Sequence, residues 1–188
     1  MKTRFCLLLL FISPFFQAQE LDGLKNPILN RKNELRIDFG KITLDSKLQL
    51  TYEYFIKNRL SVGVSAMFIN DQEKTYNSFQ GERKYQIDPY VRYSFSNNNR
   101  SLFYSEFFNS INGGSNDKIA RLNNLNYGYY DRIEYQYTDV AIGSSIGYKV
   151  YIAHRFPINL NLGLGFNLFN NSSPAVLSRA GFSTGYRF

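Results

Sequence analysis

The chain has one cysteine, one histidine and no tryptophan in 188 residues. A single Cys excludes a disulfide-stapled fold. A single His, His154, leaves too few ligands for a zinc centre. Beyond the N-terminus no apolar run reaches the roughly 20 residues that a spanning helix needs, so a helical membrane bundle is excluded. Little else is scarce. Tyr and Phe number 15 and 17, which argues against disorder. The length bounds the chain at one domain or two small ones. With a formal charge of +7 and a mean hydropathy of −0.34, composition alone describes a soluble basic protein.

The N-terminus changes the expected compartment. Lys2 and Arg4 precede an apolar run from Phe5 to Phe16, and Ala18 is a small residue at a plausible cleavage point. Residues 1–18 read as a secretory signal peptide. An anchoring helix is the alternative, disfavoured by the short run and the lack of a stop-transfer flank. Cys6 lies at the start of the run rather than after it, the wrong end for lipidation. Cleavage removes the only Cys and two positive charges. Residues 19–33 are expected to form a periplasmic lead, and 34–188 the folded domain.

Alternation dominates that domain. Leu35, Ile37 and Phe39 alternate with Glu34, Arg36 and Asp38. Leu48, Leu50, Tyr52 and Tyr54 alternate with Gln49, Thr51 and Glu53. Val140, Ile142, Ile146, Tyr148 and Val150 alternate with Asp139, Ala141, Ser145, Gly147 and Lys149. Such period-two patterning marks strands and recurs in eight segments, with no helical stripe between them. None of the apolar-face positions is charged, although 20% of the chain is. A charge facing lipid at mid-membrane costs roughly 2–4 kcal/mol, which explains that exclusion. The opposite face is too polar for a sandwich core. Apolar outside and polar inside is the pattern of an antiparallel transmembrane β-barrel of eight strands.

Connection lengths agree. Links at 56–59, 96–101 and 152–157, on one side, are all short; of those on the other side, 42–47, 70–84, 112–138 and 170–175, two are long. Short periplasmic turns and longer outer loops are usual in such barrels. Pro89 falls mid-strand, where a closed barrel has no edge to hide its missing N–H; a bulge or a skipped hydrogen bond is expected there.

Tyr52-Glu53-Tyr54-Phe55, Leu60-Ser61-Val62-Gly63 and Pro89-Tyr90-Val91-Arg92-Tyr93-Ser94-Phe95 carry a family resemblance, as do Gly147-Tyr148-Lys149, Leu162-Gly163-Leu164-Gly165 and Gly185-Tyr186-Arg187-Phe188. The chain resembles the small eight-stranded outer-membrane barrels of the OmpX/OmpA type. More narrowly, it looks like a Bacteroidota barrel family of unknown function (domain of unknown function 3575). The resemblance implies a fold and an outer-membrane location in a Gram-negative cell, and no catalytic residues. Phe182, Tyr186 and Phe188 lie on one face of the last strand. A terminal aromatic in that setting resembles the signal read by the barrel assembly machinery.

Three groups of residues are candidates for function. Glu53, Asp88, Arg92, Glu106, Lys149 and Arg187 share the inward face. An eight-stranded barrel is just wide enough for side chains to fill, so a paired polar network is expected there, with an ion path as the alternative. Tyr127, Tyr129, Tyr130, Tyr135 and Tyr137 cluster in the longest link. They suit surface contact; a hairpin extension with an interfacial girdle is the alternative. The apolar parity changes between Tyr137 and Val140, so a bulge or turn is expected there. His154 falls in a predicted periplasmic turn, far from any nucleophile set. Gly163-Leu164-Gly165 is mid-strand with no following helix, so it is no nucleotide loop.

The expectation is a monomeric outer-membrane barrel with a structural or surface-interaction role through its outer loops. A narrow ion or small-solute channel is the alternative, and a lipid-modifying enzyme or a secreted lipid-binding barrel is further off. Expected partners are outer-membrane lipid and lipopolysaccharide, the assembly machinery during biogenesis, and an extracellular ligand. No cofactor, metal or nucleic acid is expected.

Overall fold

The computed structural model describes residues 31–45, 47–69, 82–96, 100–124 and 127–188. The expected signal peptide, most of the lead and the 70–81 link lie outside the described residues. The strands are β1 (Asn33–Asp38), β2 (Lys47–Phe55), β3 (Leu60–Ile69), β4 (Glu82–Ser94), β5 (Ser101–Asn124), β6 (Tyr127–Ile152), β7 (Phe156–Asn167) and β8 (Val176–Arg187). They form one closed barrel in chain order, each strand antiparallel to its neighbours, with β8 pairing β1. Closure pairs every strand on both sides over the level that β1 spans.

All eight expected strands are present, with the expected faces. Leu35, Leu50, Phe107, Ile146 and Leu162 point outward and are exposed, while Glu34, Glu53, Glu106, Lys149 and Arg187 point inward and are buried. The barrel therefore has its apolar surface outside and its charges inside.

One helix was not expected. Residues 42–47 were read as a plain link and Phe39 as a strand residue. Instead α1 (Phe39–Asp45) follows β1 directly. The Lys41 backbone N–H donates to Asp38 Oδ1 at 3.1 Å, the bond of an N-cap residue to its third helical position. Seven residues are too few to display helical periodicity, which is why the pattern missed them.

The second difference is the link at 112–138. It is not a loop but the upper part of a continuous hairpin. Pairing runs without a break from Ser101↔Val150 through Ile111↔Val140 and Gly113↔Thr138 to Asn124↔Tyr127. The bulge or turn expected between Tyr137 and Val140 is absent. The aromatic residues change face there while the backbone register does not. Inward parity passes unbroken from Asp139 to Tyr137, and both are buried.

Pro89 pairs with Val64 on one side. On the other, the β4–β5 ladder pairs Ile87 with Ile111 and then Tyr90 with Phe108, passing over Asp88 and Pro89 without a change of register. The expected skipped bond is there, without a bulge. The register shift in this pair lies instead between Arg83 and Tyr85.

Two local features bear on the interior. A Cβ on Gly147 would collide with the Tyr104 hydroxyl, so only glycine lets that ring lie flat across the β6 backbone. The β6–β7 turn places both Ala153 (φ 49°) and His154 (φ 57°) in the left-handed region, and Arg155 N–H donates to Ile152 O at 3.1 Å. That is a type I′ hairpin turn, whose twist matches the flanking strands. His154 is exposed and serves as a turn residue.

Candidate functional site

The lower lumen is built from one level of cross-strand neighbours. Glu34 on β1 lies directly opposite Glu53 on β2 and Arg187 on β8. Two carboxylates facing each other repel unless cations separate them. Arg36 and Lys149 do so, each touching both. Arg36 Nη1 pairs with Glu34 and lies 2.5 Å from Glu53 Oε2. Lys149 Nζ, from the far wall, lies 2.7 Å from Glu34 Oε1 and 2.9 Å from Glu53 Oε2. The remaining glutamate oxygens accept from hydroxyls: Tyr151 Oη to Glu34 Oε2 at 2.7 Å and Ser61 Oγ to Glu53 Oε1 at 2.7 Å.

The network continues upward. Arg92 Nη1 lies 2.5 Å from Glu53 Oε2, and its Nη2 lies 2.6 Å from Glu106 Oε2, the residue opposite it in the ladder. Arg179 Nη1 reaches the other Glu106 oxygen at 2.8 Å, and its Nε lies 3.5 Å from Asp88 Oδ2. Gln86 Nε2 donates to both Asp88 oxygens. Arg187 closes the lower end, donating from Nη1 to Tyr151 Oη at 2.9 Å and from Nε to Arg31 O at 2.8 Å. Its guanidinium stacks over Phe55, and that of Arg92 over Tyr104.

Chemically this is a plug. Phe55, Leu102 and Tyr151 form a buried cluster at the lower end, and Tyr90, Phe108, Ala141 and Leu177 form another above the charges. Buried ions are tolerated when they are paired; Glu34, Glu53 and Glu106 each meet at least two cations, and Arg36 Nε is left without a hydrogen-bond partner. Among the described residues no group of three or more His, Cys, Asp or Glu could hold a metal.

All six residues read from the sequence as lumen charges meet in this network. The sequence reading missed Glu34, Arg36 and Arg179 as members. Their inward parity was visible, because each alternates with apolar residues in its strand. Tyr104 and Tyr151 were missed too; aromatic residues at inward positions look like misplaced outer residues until their hydroxyls find acids and amides.

The outer end is organised around Asp139. Its carboxylate accepts from Phe169 N at 3.0 Å, Asn170 N at 3.0 Å and Ser173 Oγ at 2.5 Å. One aspartate thus clamps the 168–175 loop to the base of the hairpin. Asn116 Nδ2 adds a bond to Ser172 O at 2.8 Å.

The tyrosine cluster divides. Tyr130 is 73% exposed on the outward face, and Tyr135 is exposed at 38%. Tyr137 is only 5% exposed and is inward, so it is no surface contact. Tyr127 and Tyr129 stand on β6 opposite Asn124 and Leu122; their side chains lie outside what the structure describes. On β8, Phe182, Tyr186 and Phe188 all lie on the outer face, with Tyr186 and Phe188 stacked at 6.4 Å.

With the geometry in place, known proteins can be compared. The N-terminal β-barrel domain of Pseudomonas aeruginosa OprF superposes with a TM-score of 0.53 at 15% identity, covering 84% of this chain and 98% of that one. Neisserial surface protein A (NspA) gives 0.46 at 14%, covering 83% and 93%. Ail, the attachment invasion locus protein of Yersinia pestis, gives 0.44 at 14%, covering 84% and 99%. At such identities the OprF likeness is one of fold, that of outer-membrane β-barrels. No curated protein matches significantly. Residues 39–186, from α1 to the end of β8, match the family described as "Protein of unknown function (DUF3575)", and the chain belongs to that family.

Proposed function

We propose that the protein sits in the outer membrane as a closed scaffold and acts through the surface it presents outside, above all the β5–β6 hairpin. The observation carrying this reading is the contrast between a plugged lumen and a long regular projection. Beyond Asp139 the hairpin continues through residues 113–124 and 127–138. At about 3.3 Å per residue that is about 40 Å of paired strand, far more than a turn requires. Its outward face carries Arg121, Glu134 and Gln136 beside Ile119 and Tyr130, a polar surface with two exposed apolar side chains. Such a mixture suits contact with a macromolecule better than burial in lipid. The lower outer face, uncharged and mostly apolar, is suited to lipid, and the Phe182–Tyr186–Phe188 face to the assembly machinery.

Photocrosslinkers at Tyr130 and at Leu164, in intact cells, test the reading. Tyr130 is expected to capture protein or lipopolysaccharide, and Leu164 only lipid. Absence of adducts from Tyr130 would remove the surface role. Stepwise conductance of the purified chain in a planar bilayer would move the reading to a channel.

A further inference from the structure

The barrel wall is not uniform around its circumference. β1 ends at Asp38, which pairs with Ser183 of β8. Above that pair β8 continues to Val176, bonded to β7 on one side only. On the other side of the gap, β2 residues Lys47–Gln49 likewise rise past the last β1 pair, Ile37↔Leu50. Where β1 stops, α1 occupies the seam and packs against both β8 and β2. A helix set between two strands closes a wall less completely than a ladder, because it offers no row of hydrogen bonds to them.

A cavity of about 820 Å³ opens at this seam and runs from it across the outer face of β8 and β7 as far as Tyr148 on β6 and Phe103 on β5. Part of its lining belongs to the outer surface, including the exposed Leu160, Leu162 and Phe182. Part belongs to the upper lumen: Lys41, the buried Met67 and Arg83. One continuous space therefore joins the apolar outside of the barrel to its cationic interior. The volume is in the range of small-ligand sites, roughly 300–1,000 Å³.

The cations at its inner end are incompletely used. Lys41 Nζ bonds the neutral Gln49 Oε1 and lies 3.8 Å from Met67 Sδ. Arg83 bonds two neutral groups, Gln86 Oε1 at 2.8 Å and the Tyr137 hydroxyl, while its Nε is buried with no hydrogen-bond partner. Two acids lie nearby and both are engaged: Asp88 by Gln86 and Arg179, and the buried Asp38 by the Lys41 backbone N–H. The charged side chains that line the cavity, Lys41, Lys47 and Arg83, are all cations. A buried donor left unmet costs free energy that a bound anion recovers.

We propose that this seam is a lateral binding site for a single-chain amphiphile with an anionic head. Its chain lies on the Leu160–Leu162–Phe182 groove and its head passes under α1 to Lys41 and Arg83. The proposal rests on the reading that the outer face meets lipid. An anionic head is selected because the inner end offers donors of one sign. A chain is selected because the outer end is lined mainly by apolar side chains, Leu160, Leu162, Ala180 and Phe182 among them.

The test uses the full chain in a neutral maltoside detergent. Binding of palmitate and of hexadecyl phosphate is measured by equilibrium dialysis, with hexadecyltrimethylammonium as the cationic counterpart. One anionic amphiphile per chain is expected to bind, with the cation at least tenfold weaker. Preference for palmitate points to a free fatty acid as the source, and preference for hexadecyl phosphate to a lysophospholipid. Lys41→Gln and Arg83→Gln should each weaken binding about tenfold or more, consistent with loss of a charge-assisted bond. Ala180→Trp, which fills the groove from outside, should abolish binding while leaving the lumen cations in place. Equal affinity for the cation, or unchanged affinity in these three variants, overturns the proposal. A spin label at Val91, on the outer face of β4 away from the groove, keeps the two levels apart. If it contacts lipid while palmitate fails to bind, only the seam proposal falls; if it contacts water, the underlying barrel reading falls.

Discussion

The lower and upper parts of the β5–β6 hairpin share one ladder and differ in everything their side chains do. Below the Asn112↔Asp139 pair the outward positions are Phe107, Ile111, Ile142 and Ile146, and the inward ones include Glu106, Ser145 and Lys149. Above it the outward positions include Arg121, Glu134 and Gln136, and Tyr137 is inward and buried. The backbone register does not change between them. On the proposed membrane location, what changes is the medium that the outer face meets. Hydrogen bonding fixes the ladder, and the surroundings fix the polarity. On that reading, the change of polarity without a register shift marks the level where lipid gives way to water.

Paired substitutions can break this comparison. The largest effect is expected inside. Glu53→Gln removes the charge shared by Arg36, Arg92 and Lys149 and leaves buried cations in excess, at a cost of about 3–5 kcal/mol in urea unfolding from vesicles. Glu134→Gln, an acid-to-amide change on the exposed hairpin, should stay within about 0.5 kcal/mol. Next comes the outer face. Ile146→Lys should cost about 2–4 kcal/mol, whereas Gln136→Lys, on the same strand and face above the boundary, should be close to neutral. If the two lysines cost the same, the boundary is misplaced.

The strands were legible because alternation is a local signal that a two-sided barrel wall enforces at every residue. Arg92 and Glu106 could be assigned inward from their own strands alone. That Glu34 faces Glu53 could not, because the level of each charge depends on the register of β1 against β2 and β8. The inversion at Tyr137 was misread as a bulge for a related reason. Aromatic residues were used as a marker of the outer face, and that marker holds only within lipid. α1 escaped because its helical bonds span too few residues to leave a period, although Asp38 at its N-cap was in plain view.

Smaller changes sharpen the boundary. Asp139→Ala removes three acceptor bonds to the 168–175 loop and should cost about 1–3 kcal/mol, read as faster proteolysis within that loop while the barrel stays folded. At the opposite end, Ala153→Asn with His154→Gly installs the residues that a type I′ turn favours and should gain about 1 kcal/mol in the same unfolding assay.

The most direct measurement is a spin-label scan along the even positions of β6, in a Cys6→Ser background reconstituted in liposomes. Collision rates with oxygen and with a water-soluble nickel chelate are compared at Tyr130, Glu134, Gln136, Thr138, Ile142, Ile146 and Tyr148. Oxygen should dominate at Ile142, Ile146 and Tyr148 and the nickel chelate from Gln136 upward, with the crossover between Thr138 and Ile142. Nickel access at Ile142 and Ile146 equal to that at Glu134 would contradict a membrane-spanning barrel.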